Sequence, residues 1–303
     1  MIKSYSLNPE YSTTRKVYRL KNKKKAKLNV AKKKLEGGLR VKNYFKQSSN
    51  NNSLITIITV TYNCKNLIRR TIKSVLDLSY DNIEFIIIDG GSTDGTLEII
   101  KKNNELIDYW VSEKDNGIYE AMNKGSRLSK GEAVFFLNAG DKLINKQFVK
   151  LIKLFEKNYF LYGNNFVLCG THTYTNSYPG FKYLKDNFIP FLGRLPSHQS
   201  MIIPRKLQLK NKYDQRFPIS ADKDFKIKIY LKKIRFIFIN HVVCLSLPGG
   251  KSQYMENHLH LKNRTLETFY IFKKNYNFFW ALIYSLCFYS WNLRKIINKK
   301  NYK

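Results

Sequence analysis

Aspartates at the ends of apolar runs are the residues of this chain best placed to do chemistry. Asp89 closes the run Ile83 to Ile88 and precedes Gly90 and Gly91. A carboxylate there can accept hydrogen bonds from the N–H of a base or the hydroxyls of a ribose, and glycine lets the backbone pass close to a ligand. The same residues also suit an acidic turn whose helix cap is Ser92, Thr93 or Asp94; taken alone, the two readings weigh the same. Asp141 follows the run Ala133 to Leu137, in the turn Asn138-Ala139-Gly140-Asp141. Set against a diphosphate, that carboxylate suits Mg²⁺ or Mn²⁺, which take oxygen ligands and bridge phosphates. The segment after Asp89 is not an EF-hand, because Asp94 stands where the loop needs glycine. Neither a P-loop nor a GxGxxG fingerprint follows a strand. His241, His258 and His260 read as surface or partly buried side chains on unrelated elements rather than as a metal site.

The elements that must position these groups follow from hydrophobic patterning. LITIITV (Leu54 to Val60) ends in Thr61-Tyr62-Asn63, IEFIII (Ile83 to Ile88) in the Asp89 turn, and AVFFL (Ala133 to Leu137) in the Asp141 turn. Short runs rich in Ile, Val and Phe predict strands buried on both faces, as in a parallel sheet. Leu67, Ile68, Ile72, Val75 and Leu76 recur at helical spacing. Further helices are predicted from about Thr96 to Leu106 and over 118–129, with a short strand at Tyr109 to Ser112. This alternation predicts an α/β fold with a mostly parallel sheet flanked by helices. Ligands of such sheets sit outside the carboxyl ends of the strands, so the three polar turns should converge on one crevice. Beyond Asp141 the pattern loosens: a helix over 145–157, a strand over 160–170, loops to 198, a strand ended by Pro204, a helix over 222–231 and a strand over 235–247.

A length of 303 residues with 43% apolar content allows one large domain or two modest ones. The formal charge of +32 predicts attraction to something anionic: nucleic acid, phospholipid head groups or a phosphorylated substrate. Residues 1–50 hold 15 Lys or Arg against 2 Asp or Glu, whereas Leu54 to Asp141 carries the motif acids. The basic excess therefore reads as an attachment feature. No nucleic-acid module is recognisable, and nucleic acid is not expected as a partner. KNKKKAKLNVAKKKLEGG suits a solvated arm better than a basic helix stopped at Gly37-Gly38. Cys64, Cys169, Cys244 and Cys287 form no CxxC pair and read as reduced thiols of a cytosolic protein. The start lacks an apolar core and does not read as a secretory signal. The uncharged stretch Phe278 to Trp291 is short of the roughly 20 residues that span a bilayer. An interfacial helix and a buried terminal helix both stay open, with the flanking charge and Trp/Tyr residues favouring the interface.

TVTYN, IIDGGSTDGT, SEKDNGIYEAMNKG and FLNAGD, in that order and spacing, resemble the inverting family 2 glycosyltransferases of GT-A fold. The likeness is tight from Ser53 to Leu143 and extends more loosely through HQSMIIP and ISADKDFKIKIYLKK to about Gly250. It implies a Rossmann-like, mostly parallel sheet between a basic N-terminal arm and an aromatic helical tail. The implied division is an extension at 1–52, a transferase domain at 53–250 and a C-terminal tail at 251–303. Within that domain, 53–143 would bind the nucleotide sugar and 144–250 would form the acceptor side. Thr61, Tyr62 and Asp89 match positions that hold base and ribose, and Asp115 and Asn123 match positions lining the donor pocket. Asp141 matches the last acid of a metal-binding DxD-type motif, Asp222 the catalytic base with Asp224 as runner-up, and His198-Gln199 a pair near the acceptor. The family often has two or three acids after the third strand; here only Asp141 is charged, which implies weaker metal binding or a cation leaning on the donor phosphates. The resemblance implies transfer from a nucleotide sugar, with UDP expected, to a glycan or lipid-linked oligosaccharide of bacterial surface polysaccharide. An inactive scaffold of the same fold is the alternative, with a basic nucleic-acid-binding protein, suggested by the net charge, ranked behind it. The expected place is cytoplasmic, peripheral at the inner face of the cell membrane, with anionic lipid as partner.

Overall fold

The structure is a computed structural model that describes residues 3–5, 17–19, 35–49, 52–162, 166–174, 197–246 and 258–300. The chain divides into two compact units. The larger comprises Met1–Phe181, Pro196–Lys210 and Arg235–Ser246; the smaller comprises Lys182–Leu195, Asn211–Ile234 and Leu247–Lys303.

The larger unit is built on strands whose sequences left them no exposed face. β5 (Ile55–Thr61) and β6 (Ile83–Asp89) are buried along their whole length, as are β7 (Tyr109–Ser112) and β8 (Ala133–Phe136). They lie side by side in the order β7-β6-β5-β8, every pair parallel. Between them run α1 (Lys65–Leu76), α2 (Thr96–Lys102) and α3 (Ile118–Leu128). Ile68, Ile72 and Val75 of α1 and Ile99 and Ile100 of α2 join Ile55, Ile57, Phe85 and Phe135 in one core. α4 (Asn145–Tyr162) closes the same face with Phe148, Leu151, Ile152 and Phe155, an i, i+3, i+4, i+7 stripe. α3 packs against β5 and β6 from outside that core. Helices thus cover the sheet as parallel strands require.

Five further strands extend the sheet to nine: β3 (Leu35–Gly37) beyond β7, then β11 (Met201–Pro204), β10 (Phe166–Tyr174), β12 (Arg235–Ser246) and β9 (Lys142–Leu143) beyond β8. Of these contacts β10–β12 is parallel and the others are antiparallel. A three-stranded sheet joins β1 (Lys3–Tyr5), β2 (Val17–Arg19) and β4 (Tyr44–Phe45).

Several predicted boundaries move. The sheet starts at Leu35, inside the stretch expected to be an extension, because β3 pairs with β7 and Lys46 is sealed against Asp108. The arm at 21–34 lies outside the described residues, as does most of the loop at 171–197. α2 stops at Lys102, short of Leu106. Residues 160–162, predicted as the start of a strand, complete α4, and the strand begins at Phe166; the amphipathic stripe of α4 overrides the β propensity of Tyr and Phe. His198–Ser200 form a 3₁₀ turn ahead of β11. Residues 211–234, read from the sequence as part of the acceptor-side half, group with the tail.

The smaller unit contains α6 (Ala221–Leu231), α7 (His258–Asn275) and α8 (Phe278–Lys300). Phe272 stacks on Tyr284 with centroids 4.0 Å apart, joining α7 to α8. Among the described residues no helix is long and apolar enough to cross a membrane.

Candidate active site

Strand register brings the first candidates to one edge. Thr61, Asp89 and Ser112 are paired positions at the carboxyl ends of β5, β6 and β7. β8 ends on the other side of β5, and Asn138 follows it. The turns are laced together: Asn63 N donates to Ser92 Oγ at 2.8 Å, Thr93 N to Asn63 Oδ1 at 2.9 Å, and Lys65 N to Asp94 Oδ2 at 2.9 Å. Asp94 also accepts from Thr96 N and Oγ1, so this acid caps the turn.

Asp89 is buried, and both of its oxygens are engaged inside the fold. Oδ2 accepts from Ser112 Oγ at 2.6 Å, Ser92 N at 3.0 Å and Gly91 N at 3.2 Å, while Oδ1 accepts from Ser92 Oγ. A carboxylate has about four lone-pair positions, two on each oxygen; three donors crowd Oδ2 and one reaches Oδ1. Asp89 is expected to hold base and ribose; these bonds also have it shaping the turn, the other reading its sequence context left open.

The groups left open are its neighbours. Tyr62 is 61% exposed. Thr61 Oγ1 is buried with no hydrogen-bond partner among the described residues. Asp115 accepts from Gly117 N at 3.0 Å through Oδ1, and its Oδ2 would lie 3.0 Å from a Cβ built on Gly90. Gly90 therefore leaves the space that the Asp115 carboxylate fills. Burial raises the Asp115 pKa above the usual carboxylate value; the Gly117 N–H and Lys124 oppose the shift, and Glu120 and Asp89 add to it. Asn123 is buried on α3.

The turn after β8 is a second locked element. Gly140 has φ +97, a conformation that disfavours side chains. Its N–H donates to Thr71 Oγ1 at 2.8 Å, and that hydroxyl donates to the Asp141 carbonyl at 2.9 Å. Asp141 is buried and accepts at 2.9 Å from Gln199 Nε2, which also reaches Ser246 Oγ at 3.4 Å. His198 Nε2 lies 3.1 Å from Asn138 Nδ2, and Asn138 Oδ1 is buried without a hydrogen-bond partner among the described residues. His198 and Gln199 thus sit directly on the turn that carries Asp141. Burial, and next the Asp141 charge, push the Cys244 thiol well above its ordinary value, which disfavours the thiolate.

Among the described residues no three His, Cys, Asp or Glu side chains group as a protein-only metal cage. The donors on the turn are oxygens, the orphaned Asn138 Oδ1 and the Asp141 carboxylate. That set fits Mg²⁺ or Mn²⁺ of the kind held by one or two carboxylates together with substrate phosphates and water.

Asp222 and Asp224 belong to the smaller unit, in the first turn of α6. Asp222 has a side chain 23% exposed and accepts from Lys226 Nζ at 2.8 Å. Asp224 is fully buried and is held by Lys228 Nζ at 2.6 Å, Lys274 Nζ at 3.1 Å and Asn275 Nδ2 at 2.8 Å. Ser112, Thr71, Asn138 and Ser246 were not singled out by the sequence. Only the position of Ser112 at a strand end, and of Asn138 in the Asp141 turn, could have pointed to them.

The fold defines an α/β protein whose polar turns gather at the carboxyl ends of parallel strands. Residues 56–219, more than half of the chain, match the family described as Glycosyl transferase family 2, and the chain belongs to that family. It is 37% identical over 89 residues to an uncharacterized glycosyltransferase of Mycobacterium tuberculosis, covering 29% of this chain and 34% of that one. It is 34% identical over 119 residues to the Escherichia coli UDP-Glc:alpha-D-GlcNAc-diphosphoundecaprenol beta-1,3-glucosyltransferase WfaP, covering 38% of this chain and 47% of that one. The chain spans about a third to a half of the length of these relatives. S. aureus TarS in complex with UDP-GlcNAc superposes with a TM-score of 0.56 at 19% identity, over 72% of this chain and 65% of that one. The mannosyltransferase PcManGT of Pyrobaculum calidifontis, in complex with GDP-Man and Mn²⁺, gives 0.57 at 16% identity, over 82% and 76%. At these identities the likeness is one of fold.

Proposed function

We propose that this protein transfers a sugar from a nucleotide-sugar donor, a UDP-sugar by preference, to an acceptor hydroxyl with inversion at the anomeric carbon. The observation that carries the reading is the pair of orphaned buried atoms, Thr61 Oγ1 at the last residue of β5 and Asn138 Oδ1 just beyond the adjacent parallel strand β8. Other buried polar atoms of the chain also lack partners, but these two lie at the sheet edge where ligands of parallel sheets bind. Thr61, Tyr62, Asp115 and Asn123 line the donor side in this reading, with Asp115 Oδ2 as the open acceptor for ribose or base. Asn138 and Asp141 face the diphosphate. A divalent cation bound there would neutralise charge developing on the leaving group.

Asp222 is the base. It takes the proton from the acceptor hydroxyl as that oxygen attacks the anomeric carbon, the bond to the diphosphate breaks, and nucleoside diphosphate leaves from the opposite face. Its partial exposure supports it over Asp224, whose carboxylate is sealed by two lysines and an asparagine. The acceptor is a glycan or lipid-linked oligosaccharide of bacterial surface polysaccharide, met at the inner face of the cell membrane by a peripheral protein. The Escherichia coli relative, named for a diphosphoundecaprenol-linked acceptor, supports this.

Thermal-shift screening with nucleotide sugars and Mn²⁺ identifies the donor. Asp222→Asn should then bind UDP as the parent does and lose transfer by about 10²–10⁴. Full transfer in that variant refutes the assignment, and a folded parent that binds no nucleotide sugar points to a scaffold.

A further inference from the structure

α8 carries its apolar residues on the wrong side for a helix that only packs on its own protein. The side turned inward presents Ala281, Tyr284, Ser285 and Asn292, all buried. The side turned outward presents Phe278 at 59% exposure, Phe279 at 62%, Leu282 at 44% and Leu286 at 59%, with Ile283 and Tyr289 beside them. These positions recur at spacings of three and four, so they share one face. The face continues onto α7: Phe269 meets Phe278 edge-on at 5.7 Å and Tyr270 at 5.5 Å, and Tyr270 is itself 55% exposed. A contiguous exposed apolar patch of this kind marks an interaction surface.

Charge identifies the occupant. Residues 258–303 contain 9 Lys or Arg and a single acid, Glu267. Two copies laid face to face would bring these like charges together, whereas anionic lipid would attract them. The aromatic composition, with Trp280 40% exposed beside the patch, is that of a helix lying in the membrane interface. No described helix can cross the bilayer, so the contact is lateral.

We propose that the outward face of α8, extended by Tyr270 of α7, inserts into the head-group region of an anionic bilayer and is the attachment surface of this protein. The inference gives the peripheral placement proposed above its residues; donor binding does not depend on it.

The test is flotation of the full chain with phosphatidylcholine vesicles, with and without phosphatidylglycerol, at low salt. The parent should float with the phosphatidylglycerol vesicles and much less with phosphatidylcholine alone. Leu282→Asp with Leu286→Asp should keep the parental circular dichroism and the donor-induced thermal shift, and bind these vesicles at least about tenfold more weakly. A milder pair, Leu282→Ser with Leu286→Ser, serves if the aspartates perturb folding. The proposal is overturned if the parent stays with the soluble fraction, or if the folded variants float as well as the parent. It is also overturned if light scattering finds a dimer that the substitutions dissociate while vesicle binding is unchanged. Retained donor binding by a chain that does not float separates failure of this inference from failure of the transferase reading.

Discussion

Asp115 holds a charge that its surroundings resist, and this sets up a test that separates function from stability. Burial raises its pKa, so the folded protein binds more protons at this site than the unfolded chain between the ordinary aspartate value and the raised one. Stability contributed here is therefore present at low pH and is lost as pH rises through the folded value. Asp115→Asn removes that penalty. The variant should match the parent at pH about 3–4, where both are neutral at this position, and should melt no lower than the parent at neutral pH. If Asp115 Oδ2 accepts a hydrogen bond from the donor, the same variant binds UDP about ten- to a hundredfold more weakly. Unchanged binding with unchanged melting would remove Asp115 from the site. At this scale the sequence was a partial guide. It placed Asp89 at a strand end and Asp141 in the turn after one, because a run of buried residues must stop where the chain turns polar; Asp115, three residues beyond β7, came only from the resemblance. It could not tell which way a carboxylate faces. Asp89 turns inward to Ser92 and Ser112. The bond from Gln199 to Asp141 spans 58 positions in sequence and has no local signature.

Among elements, the short β3 segment departs most from expectation, and its anchor is testable. Lys46 donates to Asp108 Oδ2 at 2.8 Å and to the Ile83 carbonyl at 2.7 Å, and Asp108 Oδ2 also accepts from Phe85 N at 2.8 Å. Both side chains are almost fully buried. Burial pushes Asp108 up and Lys46 down, each opposed by its partner. Removing one member of such a pair leaves an uncompensated charge and costs about 3–5 kcal/mol. Lys46→Met should therefore lower the urea midpoint by a corresponding amount, and adding Asp108→Asn should recover part of the loss. Additive effects in that cycle would show that the two side chains do not communicate. Arg40 acts in the same way, donating to the Leu128 carbonyl at 2.7 Å and pairing with the buried Glu84. The parallel strands were legible because their runs are apolar on both faces. β3 was not: it has three residues, its pattern is not apolar, and its lysine-rich context reads as a solvated arm. Only pairing with β7 makes it a strand.

At the scale of the whole molecule, 54 Lys and Arg stand against 22 Asp and Glu. Two effects of salt then compete. Screening weakens exposed ion pairs such as Lys73–Asp77 and Lys42–Glu105, which lowers stability. It also relaxes the mutual repulsion of the excess positive charge, which raises stability. Each exposed ion pair is worth at most about 1 kcal/mol, and the buried ones are screened little. A net +32 on one chain leaves more repulsive than attractive pairs, so relief of repulsion should win. The melting temperature is expected to rise between about 0.05 and 0.5 M NaCl, where the Debye length falls from more than 10 Å to a few ångströms. A flat or falling trend would mean that the cations are neutralised locally. The consequence reaches the donor assay, because any polyanion stabilises such a protein by screening alone. Saturation at about a hundred times Kd adds about 2.7 kcal/mol through mass action, and that part does not depend on net charge. A UDP-sugar whose thermal shift survives at high salt, while that of inorganic diphosphate vanishes, is bound by the site rather than by the field of the chain.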